Sequence, residues 1–306
     1  MGIFQYQAQN NSVYSKYLSL LKVNPVVVNS IQLIPFLPVE FFKTEKVLTG
    51  FEEAEIIFSS STTGSAVPGK HYVPDISLYE KSFRQGFNLC YDSPDRYCIL
   101  ALLPSYLERE GSSLIYMMDA LIKSSGHNQS GFYLDNHEEL AVTLTSLKNS
   151  GQPTILVGVT FGLLDFIEKF KINFPDLIVM ETGGMKGRRE EIVREDVHMR
   201  LKNAFGIDHV HSEYGMTELL SQAYSSGQGI FTCPPWMRVI IRDPNDPFSL
   251  YGANQSGGIN IIDLANLDSC AFIETQDLGR TANDGSFEVL GRFDNSDVRG
   301  CNLMLP

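Results

Sequence analysis

Between residues 98 and 213 the chain alternates short apolar runs with segments of helical period, and no other feature restricts its fold as much. Cys98 to Leu103 reads as a strand. It is followed by Ser112 to Ile122, whose apolar positions 114, 115, 117, 118, 121 and 122 keep a helical period, with Ser112 and Ser113 available as caps. The pattern repeats with Gly131 to Leu134 (strand) and His137 to Leu147 (helix), then Thr154 to Val159 and Phe161 to Phe170. Leu177 to Met180 and a helix from Arg189 to Ala204 follow, and Asp208 to Glu213 is the last strand of the series. Repeated strand–helix units predict an α/β fold with a mainly parallel sheet and helices on both faces, because a parallel neighbour is reached only by a crossover. Ligands of such sheets bind outside the carboxyl ends of the strands. The loops at 59 to 70, 181 to 188 and 214 to 218 are therefore the places for a site.

The flanks differ in character. Residues 1–50 read as an amino-terminal helical segment, with Tyr14 to Val23 helical in pattern. The α/β core is expected over 51–225, beginning with a short strand at Glu55 to Phe58 and a helix at Ser77 to Phe87. Over 226–306 the extended runs Trp236 to Arg242, Gly258 to Asp263, Ala271 to Thr275 and Ser286 to Leu290 predict a smaller β-rich portion ending in a hinge-like tail. With 24 Lys and Arg against 36 Asp and Glu, the net charge is −12, which argues against a nucleic-acid surface or docking on anionic membrane. No run is long and apolar enough for a membrane span, and no basic-then-apolar leader opens the chain, so a cytoplasmic location is expected. Five cysteines without a Cys-x-x-Cys pair read as reduced thiols. His127, His137, His198, His209 and His211 show no metal-ligand spacing.

Four segments carry possible chemistry. Ser59 to Ser65 puts Ser60, Ser61, Thr62, Thr63 and Gly64 directly after a strand, where backbone N–H groups and hydroxyls can cradle phosphates with Lys70 nearby; a solvated turn accounts for the same residues. No Walker A spacing is present. In Tyr214-Gly215-Met216-Thr217-Glu218 an aromatic ring, a glycine, a hydroxyl and a carboxylate could stack a base, approach a phosphate and hold Mg²⁺. On spacing alone, a strand end turning into a helix capped by Thr217 is the simpler account. Asp277, within Thr275 to Arg280, could accept ribose hydroxyls or belong to an ordinary turn, and Gly291-Arg292 opens a polar run that suits a hinge.

Taken in this order, the four segments resemble the adenylate-forming superfamily. Tyr214 to Glu218 matches its Tyr-Gly-x-Thr-Glu motif residue for residue, and Thr275 to Arg280 resembles its Thr-Gly-Asp-Leu-Gly-Arg motif. Leu103 to Arg109 with Gly111 to Leu114, Phe132 to Asn136, and the tail Asp297 to Leu303 further resemble the acyl-protein synthetases of the bacterial bioluminescence (Lux-type) fatty acid reductase system. The resemblance implies ATP-dependent activation of a carboxylic acid to an acyl adenylate, then transfer to a cysteine near the carboxyl terminus, a place occupied by Cys301. It implies phosphate contacts from Ser60, Ser61, Thr62, Thr63, Gly64 and Thr217, Mg²⁺ on Glu218 and ribose on Asp277. Adenine would stack on Tyr214, with Gly183, Gly184 and Gly215 giving close backbone approach and Arg292 a second ribose or phosphate contact. An acyl-CoA reductase-like partner is also implied. Departures are Ser61 and Gln276 where glycines are usual, and Pro68-Gly69-Lys70 in place of Pro-Lys-Gly. The sequence stops just past the hinge motif, so the carboxyl-terminal lid is expected to be absent, which favours transfer to Cys301 over transfer to CoA. The other readings are an acid-CoA ligase of the phenylacetate type and a catalytically weak nucleotide-binding subunit of a complex.

Overall fold

A computed structural model of the chain describes residues 1–51, 53–60, 67–104, 111–134, 136–183 and 193–293. The amino-terminal segment supplies α1 (Gly2–Asn10), α2 (Ser12–Leu20), β1 (Leu37–Pro38) and a single turn, α3 (Phe41–Thr44). A hairpin of β2 (Ile56–Ser59) and β3 (Lys70–Val73) leads into α4 (Ile76–Tyr91). The alternating region forms β4 (Cys98–Leu102), α5 (Ser113–Ser125), β5 (Gly131–Phe132), α6 (His137–Ser150), β6 (Thr154–Val159) and α7 (Thr160–Lys169). It ends with β7 (Ile178–Thr182), α8 (Arg194–Phe205) and β8 (His211–Tyr214). Beyond it run β9 (Ala223–Ser225), β10 (Ile230–Phe231), β11 (Met237–Arg242), β12 (Ser256–Asp263), β13 (Phe272–Thr281) and β14 (Phe287–Arg292).

The central sheet has the order β5-β4-β6-β7-β8-β9, with the first five strands parallel and β9 antiparallel. β4 shows why these runs are apolar throughout. Cys98, Leu100 and Leu102 enter one core with Leu144, Phe166 and Leu201 of α6, α7 and α8. Ile99 and Ala101 enter the other, with Phe87, Met118 and Leu121 of α4 and α5. A strand buried on both faces has no position left for a polar side chain. The helix limits follow their caps: the Ser112 hydroxyl accepts from Ile115 N at 3.4 Å, and α6 begins on Asn136 and stops at Gly151.

The second sheet is antiparallel in the order β10-β14-β13-β12-β11, and β1 joins β13 in parallel. The amino-terminal helices pack on it. The Phe4 and Tyr14 rings lie 5.9 and 6.4 Å from that of Phe272, and Gln7 bonds the main chain at Asn266, Leu267 and Ala271. Helix α1 has no counterpart in the sequence reading, because nine residues burying only Phe4, Gln7 and Ala8 give a weak periodic signal.

Two expectations change. The run at Glu55 to Phe58 stands outside the parallel series: its strand pairs with β3 in a separate hairpin, Ile56 opposite Val73 and Ser59 opposite Lys70. After Tyr214 the chain does not enter a helix capped by Thr217. It turns and returns as β9, with Tyr224 opposite Glu213, because Asp263 holds the Leu220 and Ser221 N–H groups at 2.8 and 3.0 Å. Among the described residues, no helix is long and apolar enough to cross a membrane.

Candidate active site

The carboxyl ends of β7 and β8 set the floor of the site, in the crevice where parallel sheets bind ligands. Gly183 follows β7 with a φ of +71°, and its carbonyl accepts from the Thr160 hydroxyl at 2.8 Å. Next to it, Tyr214 ends β8 and Gly215 opens the turn that carries Thr217 and Glu218. That turn is anchored from the second sheet. The buried Asp263 carboxylate accepts from Leu220 N, Ser221 N, Ala265 N and, at 2.5 Å, the Ser221 hydroxyl.

The hairpin β2–β3 brings the root of the hydroxyl-rich loop to this turn. Ser60 N donates to Gly69 O at 2.9 Å and Gly69 N to Ser60 Oγ at 2.8 Å, which closes the loop neck. A Cβ on Gly69 would lie 2.5 Å from Glu218 Oε1 and 3.4 Å from Ser60 Oγ. A side chain there would displace the Glu218 carboxylate, which rests against the Gly69 backbone. Lys70 starts β3 and is exposed, whereas the next residue, His71, is fully buried. Its Nδ1 lies 2.8 Å from the Thr217 carbonyl and its Nε2 3.0 Å from Asn266 Oδ1.

β13 and β14 supply the other wall. Asp277 and Arg292 are cross-strand partners, with Arg292 Nε 3.1 Å from Asp277 Oδ1. The Tyr214 hydroxyl donates to Asp277 Oδ2 at 2.8 Å, and its ring packs edge-on against Phe231 and Phe287. Gln276 hydrogen-bonds Glu40, so the residue standing where the motif has glycine ties β13 to the amino-terminal segment.

Burial sets the electrostatics. It pushes the carboxyls of Glu218 and Asp277 above the usual range, and Arg292 opposes the shift at both, as does Lys43 at Glu218. One guanidinium thus serves two acids from separate motifs. Glu213, which precedes Tyr214, is pushed up to about 7 by burial, against the Thr182 hydroxyl that donates to it. Among the described residues no three His, Cys, Asp or Glu side chains gather as a ligand set.

Of the residues expected at the site, Ser60, Gly183, Tyr214, Gly215, Thr217, Glu218, Asp277 and Arg292 lie along this crevice. Ser61, Thr62, Thr63, Gly64, Gly184 and Cys301 lie outside the described residues, as does the rest of the loop after Gly183 up to residue 192. His71, Asn266, Asp263 and Lys43 were missed. Only His71 had a signal, a lone imidazole beside the noted Lys70 in a strand-like run; the rest join the site through tertiary contacts.

The family model for the acyl-protein synthetase LuxE matches residues 2–306. Among curated proteins, none matches significantly. Among solved structures, ATP-bound MatB from Rhodopseudomonas palustris is 15% identical with a TM-score of 0.58, covering 77% of this chain and 47% of its own. An open 2-hydroxyisobutyryl-CoA ligase in complex with 2-HIB-AMP and CoA is 13% identical with a TM-score of 0.72, covering 96% and 68%. MenE, the O-succinylbenzoate coenzyme A synthetase from Bacillus subtilis, in complex with AMP, is 17% identical with a TM-score of 0.52, covering 79% and 49%. The chain thus spans about half the length of MatB and MenE. At these identities the likeness is one of fold, and it is the fold of adenylate-forming enzymes. With the family model matching almost end to end, the chain belongs to the LuxE acyl-protein synthetase family.

Proposed function

We propose that the chain activates a carboxylic acid, a fatty acid by family, with ATP and then carries the acyl group on Cys301. The observation behind this reading is the approach of the Glu218 carboxylate to the Gly69 backbone, which is itself bonded to Ser60 at the root of the hydroxyl-rich loop, with Asp277 and Arg292 acting on the same carboxylate. In the first step a substrate carboxylate oxygen attacks the α-phosphorus of ATP, and the bond to the β-phosphate breaks with release of pyrophosphate. Two anions must meet, so positive charge and N–H donors have to offset the charge that builds up. Ser60 to Gly64 and Thr217 would supply donors, and Arg292 a cation. Asp277 accepts one bond from Tyr214 and one from Arg292, which leaves lone pairs for ribose hydroxyls. Tyr214, fixed through its hydroxyl, would offer its ring to adenine beside the Gly183–Gly184 backbone.

The donor set suits Mg²⁺, a hard cation usually held by one or two carboxylates plus substrate phosphates. Glu218 would hold it, and when bound it would neutralise phosphate charge. In the second step the Cys301 thiolate, its proton lost to solvent, attacks the acyl carbonyl; the S–C bond forms and the C–O bond to AMP breaks. The implied acyl acceptor after that is a reductase.

The test is incubation with labelled fatty acid, ATP and Mg²⁺. Hydroxylamine-labile label on the protein is expected, lost in Cys301→Ala. Full labelling of that variant would refute the acceptor assignment. Free acyl-CoA on addition of CoA would instead favour an acid-CoA ligase.

A further inference from the structure

The mechanism above leaves one buried polar group at the site without a task. His71 has no solvent exposure, and the Phe42 ring packs edge-on against it at 5.7 Å. Its two ring nitrogens face the Thr217 carbonyl and Asn266 Oδ1. Asn266 in turn donates from Nδ2 to the Glu218 carbonyl at 2.7 Å. The asparagine is itself held, its N–H 3.1 Å from Asp263 O and its carbonyl 2.9 Å from Gln7 Nε2. A continuous side-chain bridge therefore runs from the carbonyl of residue 217 to that of residue 218. It is tied to β3 at one end and to the turn after β12 at the other.

We infer that His71 and Asn266 are positioning residues that lock the Thr217–Glu218 peptide to the strand that follows Gly69, so that the Gly69 backbone and the Glu218 carboxylate keep one geometry during adenylate formation. The inference rests on the function proposed above and adds to it. Gly69, against which the Glu218 carboxylate rests, lies two residues before His71, so the loop neck runs straight into the strand that carries the clamp. The donor count gives the bridge a direction. The Asn266 amide N–H is committed to Glu218, so its oxygen faces the ring, and the imidazole has an acceptor on each side. A neutral ring carries one N–H for two acceptors. In a given tautomer it therefore donates to one of the two oxygens and only touches the other.

The experiment compares wild type with His71→Leu, Asn266→Leu, the double variant, His71→Asn and His71→Gln in ATP–pyrophosphate exchange, with a stability measurement on each. The amide of Asn replaces Nδ1 and that of Gln replaces Nε2. His71→Leu is expected to lower kcat about tenfold or more while the KM for the acid stays within about twofold, because the loss falls on transition-state alignment. The double variant should be no worse than the poorer single, as expected of groups acting in one unit. His71→Asn or His71→Gln should recover most of the rate. Wild-type kcat in a folded His71→Leu, multiplying losses in the double variant, or an effect confined to the acid KM would overturn the inference. If His71→Leu does not fold, wild-type kcat in a folded Asn266→Leu would overturn it. Amide hydrogen exchange provides a readout without turnover: peptides over 214–222 should exchange faster in His71→Leu, and those over 137–150 should not. Should wild type catalyse no pyrophosphate exchange, the adenylation reading fails. The amide arm then decides the bridge, faster exchange at 214–222 supporting it and unchanged protection overturning it.

Discussion

Replacing Glu213 with glutamine should stabilise the protein at alkaline pH and leave it nearly unchanged in acid. The carboxyl lines a narrow cavity between α4, α5 and the central sheet, with the Thr182 hydroxyl as its hydrogen-bond partner. Burial raises it from 4.5 to about 7 in the folded chain. The folded state therefore keeps a proton that the unfolded chain has released. Stability from this group is complete below about pH 4.5 and is lost as pH rises through about 7. The displacement corresponds to about 3 kcal/mol. Because the residue retains some solvent exposure, screening trims this to about 2 kcal/mol. Other buried carboxyls, among them Glu218, Asp263 and Asp277, are raised in the same direction, so the pH profile of wild type alone does not isolate Glu213. The difference between wild type and Glu213→Gln does. Urea unfolding at pH 5, 6, 7 and 8 should give a difference that grows with pH to about 2 kcal/mol in favour of the variant, with equal m-values. A difference that stays flat across that range, or that grows toward acid, would refute the assignment of a buried, protonated carboxyl.

Glu218→Gln should fold normally, since it removes a charge that burial disfavours, yet lose adenylate formation by about a hundredfold or more; near-normal pyrophosphate exchange would show that the carboxylate is not needed. Asp263→Ala strands the N–H groups of Leu220, Ser221 and Ala265 and the Ser221 hydroxyl, and should cost about 4 kcal/mol or more in urea unfolding. A loss under about 1 kcal/mol would mean that the turn after Glu218 is held by other contacts.

The central sheet was legible because its strands are buried on both sides and its helices carry local caps. Thr154 to Val159 needed no tertiary information to be read as a strand. The motifs at Tyr214 to Glu218 and at Asp277 were legible because their chemistry is compressed into a few adjacent residues. The contacts that bring them together were not. β2 and β3 pair across a long loop with no tight-turn signature, so Phe58 opposite His71 is invisible to spacing. Asp263 and Asn266 look like surface polar residues at the end of a strand; both are buried and bonded to a turn more than 40 positions earlier. Helix capping by Thr217 failed for the same reason, since the pull of Asp263 on residues 220 and 221 outweighs a local preference.

The packing of α1 on the second sheet has a consequence for how the chain is made. Gln7 finds its partner Asn266 only 259 positions later, and Phe4 and Tyr14 wait as long for Phe272. At a synthesis rate of about 5–20 residues per second, that leaves these aromatic side chains without their native cover for about 10–50 s on the ribosome. The central sheet, whose contacts are closer in sequence, can fold meanwhile, so the last event is the docking of the first helices onto a sheet finished at the far end. Long-range closure of this kind is slow and exposes apolar surface while it proceeds. Low yields from rapid overexpression, relieved by slower translation or by a chaperone that shelters the first twenty residues, are the expected signature in the cell.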